Sequence, residues 1–413
     1  MSVATANAAG TRNYAIVTAA YWGFTLTDGA LRMLVLLQFY RLGYSPFALA
    51  LLFLLYEAAG IGANLIGGWL ATRFGITRML AAGLVTQIAG FLMLSTMSPA
   101  WPPVQLVAWV VAAQGICGIA KDLTKTASKS AIKVTAGTAS GRLFHWVAWF
   151  TGSKNAMKGA GFFLGGLLLE ALGFRIALWT MAAVLAGVLA GVAFSLPPLM
   201  GKAKASQSAQ EFFAKAKGVN LLAAARVVLF GARDVWFVVG LPVFLYAAGW
   251  TFTMVGGFLA AWTIGYGIIQ AATPAVVRRS ADGLSAAVPA ARIWALALAA
   301  VPGLLALLMA CGVPGAAIYV PAGLCVFGGL FAVNSSIHSY LVLAYAGSEK
   351  AAEDVGFYYA ANAAGRFGGT LLSGLLYGLG GLVACLVAAT VMLVTCWAVT
   401  LALPSDTPVP VEA

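Results

Sequence analysis

The chain has 413 residues, 62% of them hydrophobic and only 9% charged. Soluble domains carry about 25% charged residues, so this chain has too few to cover itself with a polar surface. A polytopic helical membrane protein is the class that fits. The net charge of +12 lies mostly at helix ends or inside apolar segments, which argues against a nucleic-acid partner.

Residues 1–13 are polar and rich in small side chains. The apolar run behind them is too long for a signal-peptide core and has no cleavage site, so it is expected to stay as the first span. A crossing needs about 20 apolar residues. Counting on that basis predicts about twelve spans, near 14–40, 47–71, 79–97, 104–126, 143–172, 174–197, 219–247, 251–277, 285–311, 315–346, 355–379 and 381–403. The expected fold is all-α, with two pseudo-symmetric six-helix halves at 1–197 and 219–413. A solvated central loop at 198–218 joins them, and a short tail follows the last span. Arg12, Arg73, Arg78, Arg142, the central-loop lysines, Arg278, Arg279 and Lys350 would all lie on one side, leaving Arg41 and Arg175 on the other. The positive-inside bias then predicts cytoplasmic termini.

The halves resemble each other. Asp28 and Asp234, each near an Arg (Arg32, Arg233), are separated by about half the chain. Gly60 and Gly62 match Gly265 and Gly267 at nearly the same offset, as Lys158, Gly161 and Gly166 match Arg366, Gly369 and Gly374. Such repeats mark transporters with a central site between two halves.

The charges inside the spans carry the chemistry. Lys121, Lys125, Lys129 and Lys133 recur every four residues and grow out of an apolar segment, as one helix face would. Lys154 and Lys158 repeat the spacing inside the next span. A charged residue at the bilayer centre costs roughly 2.5–3.5 kcal/mol on the insertion scale, so such residues face the bundle interior and serve function. The candidate substrate-binding residues are Arg32, Lys121, Lys125, Lys154, Lys158, Arg226, Arg233 and Arg366, with Asn155, Asn334, Asn362 and His338 as neutral partners. Snorkelling accounts equally well for Lys129, Lys133 and Arg226, and packing accounts for a lone His. The acids Asp28, Glu57 and Asp234 are the candidates for proton coupling.

Asp28 stands four residues before Arg32, the favourable order for an ion pair along a helix. Asp234 beside Arg233 is not expected to pair with it, and Asp122 is expected to meet a lysine of another helix. The acids are too few to neutralise every cation, which leaves a net positive cavity suited to a multivalent anion. Trp146, Trp149, Trp236 and Tyr359 are candidates to line its pathway, against the commoner reading of core or interface aromatics. All five cysteines lie in apolar runs and read as small core residues. No phosphate loop, catalytic triad, metal signature or cofactor motif is visible, so no enzyme activity and no cofactor are expected.

Gly68-Trp-Leu-Ala-Thr72-Arg73-Phe-Gly75-Ile-Thr-Arg78 resembles the loop motif of the major facilitator superfamily. Thr72 stands where the motif has Asp, a departure from its charge relay. Gly159-Ala-Gly161 through Gly165-Gly166 is similar to the superfamily's antiporter motif without its Pro, and also reads as plain helix packing. Three stretches resemble the organoarsenical-efflux permease family (ArsJ) more narrowly. They are Ala20 to Arg32, then Gly118 to Lys133 with Thr151 to Asn155, and Leu229 to Pro242. That resemblance implies export of 1-arseno-3-phosphoglycerate across the inner membrane, conferring arsenate resistance. It also implies functional pairing with a glyceraldehyde-3-phosphate dehydrogenase.

The residues alone reach an alternating-access transporter for a polyanion, expected to be a monomer in the lipid bilayer. An organophosphate importer or phosphate antiporter of the same fold is the alternative, because charge does not encode direction. An exporter of lipophilic cations would need in-span acids to outnumber bases, the reverse of what is seen. A membrane enzyme or receptor would need a catalytic cluster or a large extramembrane domain.

Overall fold

The computed structural model describes residues 3–136, 140–197, 217–276, 285–345 and 351–404. Among them the regular structure is all helical. In chain order the helices are α1 (Val3–Arg41), α2 (Pro46–Phe74), α3 (Ile76–Ser95), α4 (Pro103–Ala136), α5 (Ser140–Ser195) and α6 (Lys217–Phe237). Then follow α7 (Gly240–Ala247), α8 (Phe252–Val276), α9 (Ala287–Ala310), α10 (Ala316–Tyr345) and α11 (Ala351–Leu401). α5 breaks at Gly173, and α11 at Gly380 and Gly381. Counting each as two limbs, and α6 with α7 as one broken span, gives the twelve expected spans.

Eight helical stretches among the described residues are long and apolar enough to cross a bilayer. Two of these, Ser153–Ser195 and Phe357–Leu401, have 43 and 45 residues, twice what one crossing of about 20 needs. Large apolar side chains stand open on the outside, such as Phe194 at 91% and Val104 at 83%. A surface of that kind is stable against lipid and not against water. The chain is a multi-pass membrane protein.

The chain forms two compact units. Unit 1 comprises Met1–Tyr44, Leu51–Gln207 and Gly249–Gly267; unit 2 comprises Ser45–Ala50, Ser208–Ala248 and Ile268–Ala413. The division departs from the sequence halves at the starts of α2 and α8. The start of α8 goes with unit 1 because Ala260 and Phe252 press their carbonyls against Gly159 and Gly166 of α5. Most of the central loop expected at 198–218 lies outside the described residues.

In unit 1, α1 packs along α5. A Cβ on Gly161 would collide with the Leu26 carbonyl oxygen, and one on Gly165 with that of Ala30. In unit 2, α6 packs along α11 by the same device. A Cβ on Gly365 would collide with the Val227 carbonyl oxygen, and one on Gly369 would meet that of Gly231 at 2.6 Å. Small residues let helices approach where lipid offers no hydrophobic drive. The antiporter-like glycines therefore serve helix packing. Gly62 and Gly265, one glycine from each of the two segments matched across the halves, meet nothing within 4 Å.

The superfamily-like loop is a one-residue junction. α2 ends at Phe74, Gly75 takes φ 83°, and α3 begins at Ile76. A side chain at that φ would be strained, which explains the glycine. The Thr77 hydroxyl donates to the Pro197 carbonyl at 2.7 Å and ties the junction to the end of α5. Arg78 is exposed, while the side chains of Thr72 and Arg73 lie outside the described residues.

The break between α6 and α7 has a sequence cause. Pro242 has no N–H and its ring would collide with the carbonyl of Val238, four residues earlier, in a continuous helix. The chain breaks there and Pro242 falls in the first turn of α7, where it is tolerated. The Ser373 hydroxyl oxygen on α11 accepts hydrogen bonds from the freed N–H groups of Val239, at 3.2 Å, and Gly240, at 3.1 Å. A membrane span requires such internal satisfaction.

Candidate anion-binding site

In unit 1, α1, α2 and α4 bring Asp28, Arg32, Tyr56, Glu57 and Lys121 together. Arg32 Nη1 donates to Glu57 Oε1 at 3.0 Å, and Lys121 Nζ lies 4.0 Å from Glu57 Oε2. One carboxylate therefore faces two cations. Lys121 Nζ also sits 3.8 Å from the centre of the Tyr56 ring, a cation–π contact. The Tyr56 hydroxyl reaches both oxygens of Asp28, at 2.7 and 2.8 Å. Arg32 Nη2 is buried and has no hydrogen-bond partner among the described residues.

The expected Asp28–Arg32 pair does not form. Glu57 projects from α2 onto Arg32, and its neighbour Tyr56 takes Asp28 instead. Among the described residues no cation lies within ion-pair distance of Asp28. Asp122, expected to meet a lysine of another helix, has its ion pair among the described residues with Lys125 of its own helix, at 3.3 Å.

Unit 2 builds a second cluster of the same type. Arg233 Nε donates to Asp234 Oδ1 at 2.6 Å, and Arg366 Nε donates to Asp234 Oδ2 at 3.3 Å. Again one acid faces two cations. The Arg233–Asp234 pair, not expected for adjacent helical residues, forms because the long guanidinium stem folds back. Its Cζ lies 4.8 Å from the Phe230 ring and 5.5 Å from that of Phe331, and these hold the head beside its neighbour's carboxylate.

Access differs between cations and acids. The Arg32, Lys121, Arg233 and Arg366 side chains keep 12, 16, 14 and 18% of their surface open, while Glu57 and Asp234 keep 2 and 1%. Each cluster thus offers reachable cations, two of them sharing one buried acid.

The other expected residues fall in three places. Lys154 and Lys158 lie partly buried one turn apart on α5, with Lys158 Nζ 5.7 Å from the Phe162 ring, and Asn155 is buried between them in sequence. Asn362 is partly buried one turn before Arg366 on α11. Arg226, Asn334 and His338 are deeply buried in unit 2, with only 4, 0 and 0% of their surface open.

The side chains of Lys129, Lys133, His145, Trp146 and Trp149 lie outside the described residues. Trp236 does not line a pathway: it is wholly buried and packs edge-on against Phe327 at 5.1 Å. Tyr359 packs beside the core cluster around Tyr358 and Ile337. Cys311 and Cys325 are exposed, so the core reading holds only for Cys117, Cys385 and Cys396. Sequence reasoning misses Tyr56, Phe230 and Phe331. The signal that could find the first two is an aromatic adjacent to an in-span acid, or one turn from an in-span arginine.

The model of the Major Facilitator Superfamily matches residues 13–367. The chain is similar in structure to a transporter described under substrate recognition in proton dependent oligopeptide transporters, with a TM-score of 0.70 and 12% identity. That match covers 95% of this chain and 98% of the other. It is similar to the human organic anion transporter MFSD10 (TETRAN), with a TM-score of 0.67 and 17% identity over 95% and 99% of the two chains. A POT family transporter in complex with 5-aminolevulinic acid gives a TM-score of 0.72 and 13% identity over 94% and 95%. At these identities the likeness is one of fold. No curated protein matches the chain by sequence.

Proposed function

The chain belongs to the Major Facilitator Superfamily, and from that premise we propose that this membrane transporter carries a multivalent organic anion by alternating access. The observation that carries the reading is the pair of two-cation, one-acid clusters, Arg32/Lys121/Glu57 and Arg233/Arg366/Asp234. Each, taken by itself, suits a phosphate-like charged group. The arginines supply planar forks for such a group and Lys121 supplies a point charge. The acids are not free for a lipophilic cation, because each already holds two cations.

Within that class the reading is export of 1-arseno-3-phosphoglycerate, with arsenate resistance as the outcome. Its support is the resemblance of Ala20–Arg32, Gly118–Lys133 and Leu229–Pro242 to the organoarsenical permeases. The partner implied is a dehydrogenase of the glyceraldehyde-3-phosphate type, and the location implied is the inner membrane with both termini cytoplasmic. The candidate for proton coupling is Asp28. Glu57 and Asp234 would lose ion pairs on protonation, whereas among the described residues Asp28 is held by the neutral Tyr56 hydroxyl.

Complementation tests the reading. An arsenate-sensitive host should gain resistance only when this chain and the dehydrogenase are expressed together. Normal membrane expression of both without resistance would remove the arsenical from the proposal. Uptake of phosphoglycerate by everted but not right-side-out vesicles would establish the direction as export, and the converse would favour the importer.

A further inference from the structure

Arg226 of α6 has an unusual setting. Its side chain is buried, and among the described residues no carboxylate lies within ion-pair distance. Its Nη1 donates to the carbonyl and the hydroxyl oxygens of Ser335 on α10, at 3.2 and 3.1 Å. Its Cζ lies 4.0 Å from the Phe230 ring and 4.7 Å from the Tyr358 ring. Aromatic rings soften the cost of a buried guanidinium but carry no net charge. Nε is buried with no hydrogen-bond partner among the described residues.

The same part of α10 holds two more unsatisfied groups. His338 lies four residues after Asn334 and three after Ser335, so on the helix it neighbours both. Both Asn334 and His338 have 0% of their surface open. Neither amide atom of Asn334 and neither ring nitrogen of His338 has a hydrogen-bond partner among the described residues. Native interiors satisfy nearly all buried polar atoms, so a cluster of orphans around one uncompensated charge needs an explanation.

We propose that Arg226, Asn334 and His338 form a buried site in unit 2 for a small monovalent inorganic anion of the chloride class. One unneutralised guanidinium calls for one negative charge, not two. The Asn334 amide N–H and a His338 ring N–H supply the neutral donors that a desolvated halide needs. The faces of the guanidinium are next to rings and Nη1 is occupied by Ser335, which leaves the edge that carries Nε and Nη2 for the anion. The proposal goes beyond the transport reading, because it concerns a resident counter-ion and not the cargo. The partly open clusters around Glu57 and Asp234 remain available for the substrate.

The test is salt-dependent melting of the purified full chain in detergent, with no organic substrate present. Chloride, bromide or gluconate is titrated at constant ionic strength. Chloride and bromide should raise the melting temperature saturably, and gluconate, too bulky for a buried site, should not. Asn334→Ala and His338→Ala should each weaken the apparent halide affinity, and Arg226→Gln should abolish the response. The loss of one charge-assisted hydrogen bond corresponds to about ten- to hundredfold in affinity. Arg366→Gln should leave the halide response in place, which separates this site from the proposed substrate cluster. If Arg226→Gln does not fold, the two α10 variants carry the test. Equal stabilisation by all three salts would overturn the proposal, as would an unchanged halide response in both α10 variants.

Discussion

Arg366 Nε donates to Asp234 Oδ2 at 3.3 Å, tying α11 to α6 one turn from the point where Gly369 lets their backbones touch. The acid is shared, because Arg233 holds its other oxygen. Loss of the acid should therefore cost more than loss of either base. Asp234→Asn would take from Arg233 and Arg366 the acid they share. Breaking a buried pair costs about 3–5 kcal/mol, and Asp234→Asn is expected near that scale. Arg366→Gln leaves Asp234 paired with Arg233 and is expected to cost less. Melting curves of the two variants at equal expression check the order.

Adjacent glycines on α11 give a sharp contrast. A Cβ at Gly369 would stand 2.6 Å from the Gly231 carbonyl oxygen, whereas one at Gly368 meets nothing within 4 Å. Gly369→Ala should force α11 off α6 and lower the melting temperature and folded yield. Gly368→Ala should be neutral or slightly stabilising, because alanine favours helix over glycine by roughly 1 kcal/mol. Fluorescence-detected size-exclusion with a thermal ramp distinguishes them.

Ser373 is the acceptor for both backbone N–H groups freed at the α6–α7 break. Ser373→Ala leaves those donors buried without a partner, at about 1–3 kcal/mol for each unsatisfied group. Alanine is smaller than serine and adds no steric crowding, so a lower melting temperature would report the lost acceptor. Hydrogen exchange should rise at Val239 and Gly240 and not along α6.

Of Asp28, Glu57 and Asp234, Asp28 is the acid in no ion pair among the described residues. If it carries the coupling proton, Asp28→Asn should abolish the response of transport to a pH gradient but preserve exchange of internal for external substrate. Counterflow and gradient-driven uptake in the same proteoliposomes measure both. Loss of exchange along with the gradient response would make Asp28 a structural or substrate-contacting residue instead.

The spans were legible because hydropathy and length depend on the bilayer alone, and α4 runs unbroken through the lysine repeat as its spacing requires. That Arg32, Arg233 and Arg366 are costly in a span and must face a partner was legible. Which acid each one meets was not. Asp28 and Arg32 have the right spacing on α1, but Glu57 arrives from another helix and takes Arg32. Arg233 reaches its own neighbour because Phe230 and Phe331 redirect it. Trp236 and the exposed Cys311 and Cys325 show a further limit. Lipid tails are as apolar as a protein core, so an apolar run does not reveal which of its faces is buried.

The central claim is that each cation cluster, within its own unit, serves the binding of anionic substrate. Binding of 3-phosphoglycerate to the purified transporter, by calorimetry, with Arg32→Gln and Arg366→Gln alongside, tests it most directly. The account predicts saturable binding by the parent, weakened about ten- to hundredfold in each variant, on a scale of about 1.5–3 kcal/mol per charge-assisted contact. Unchanged affinity in both variants, or equal binding of a lipophilic cation such as tetraphenylphosphonium, would contradict it.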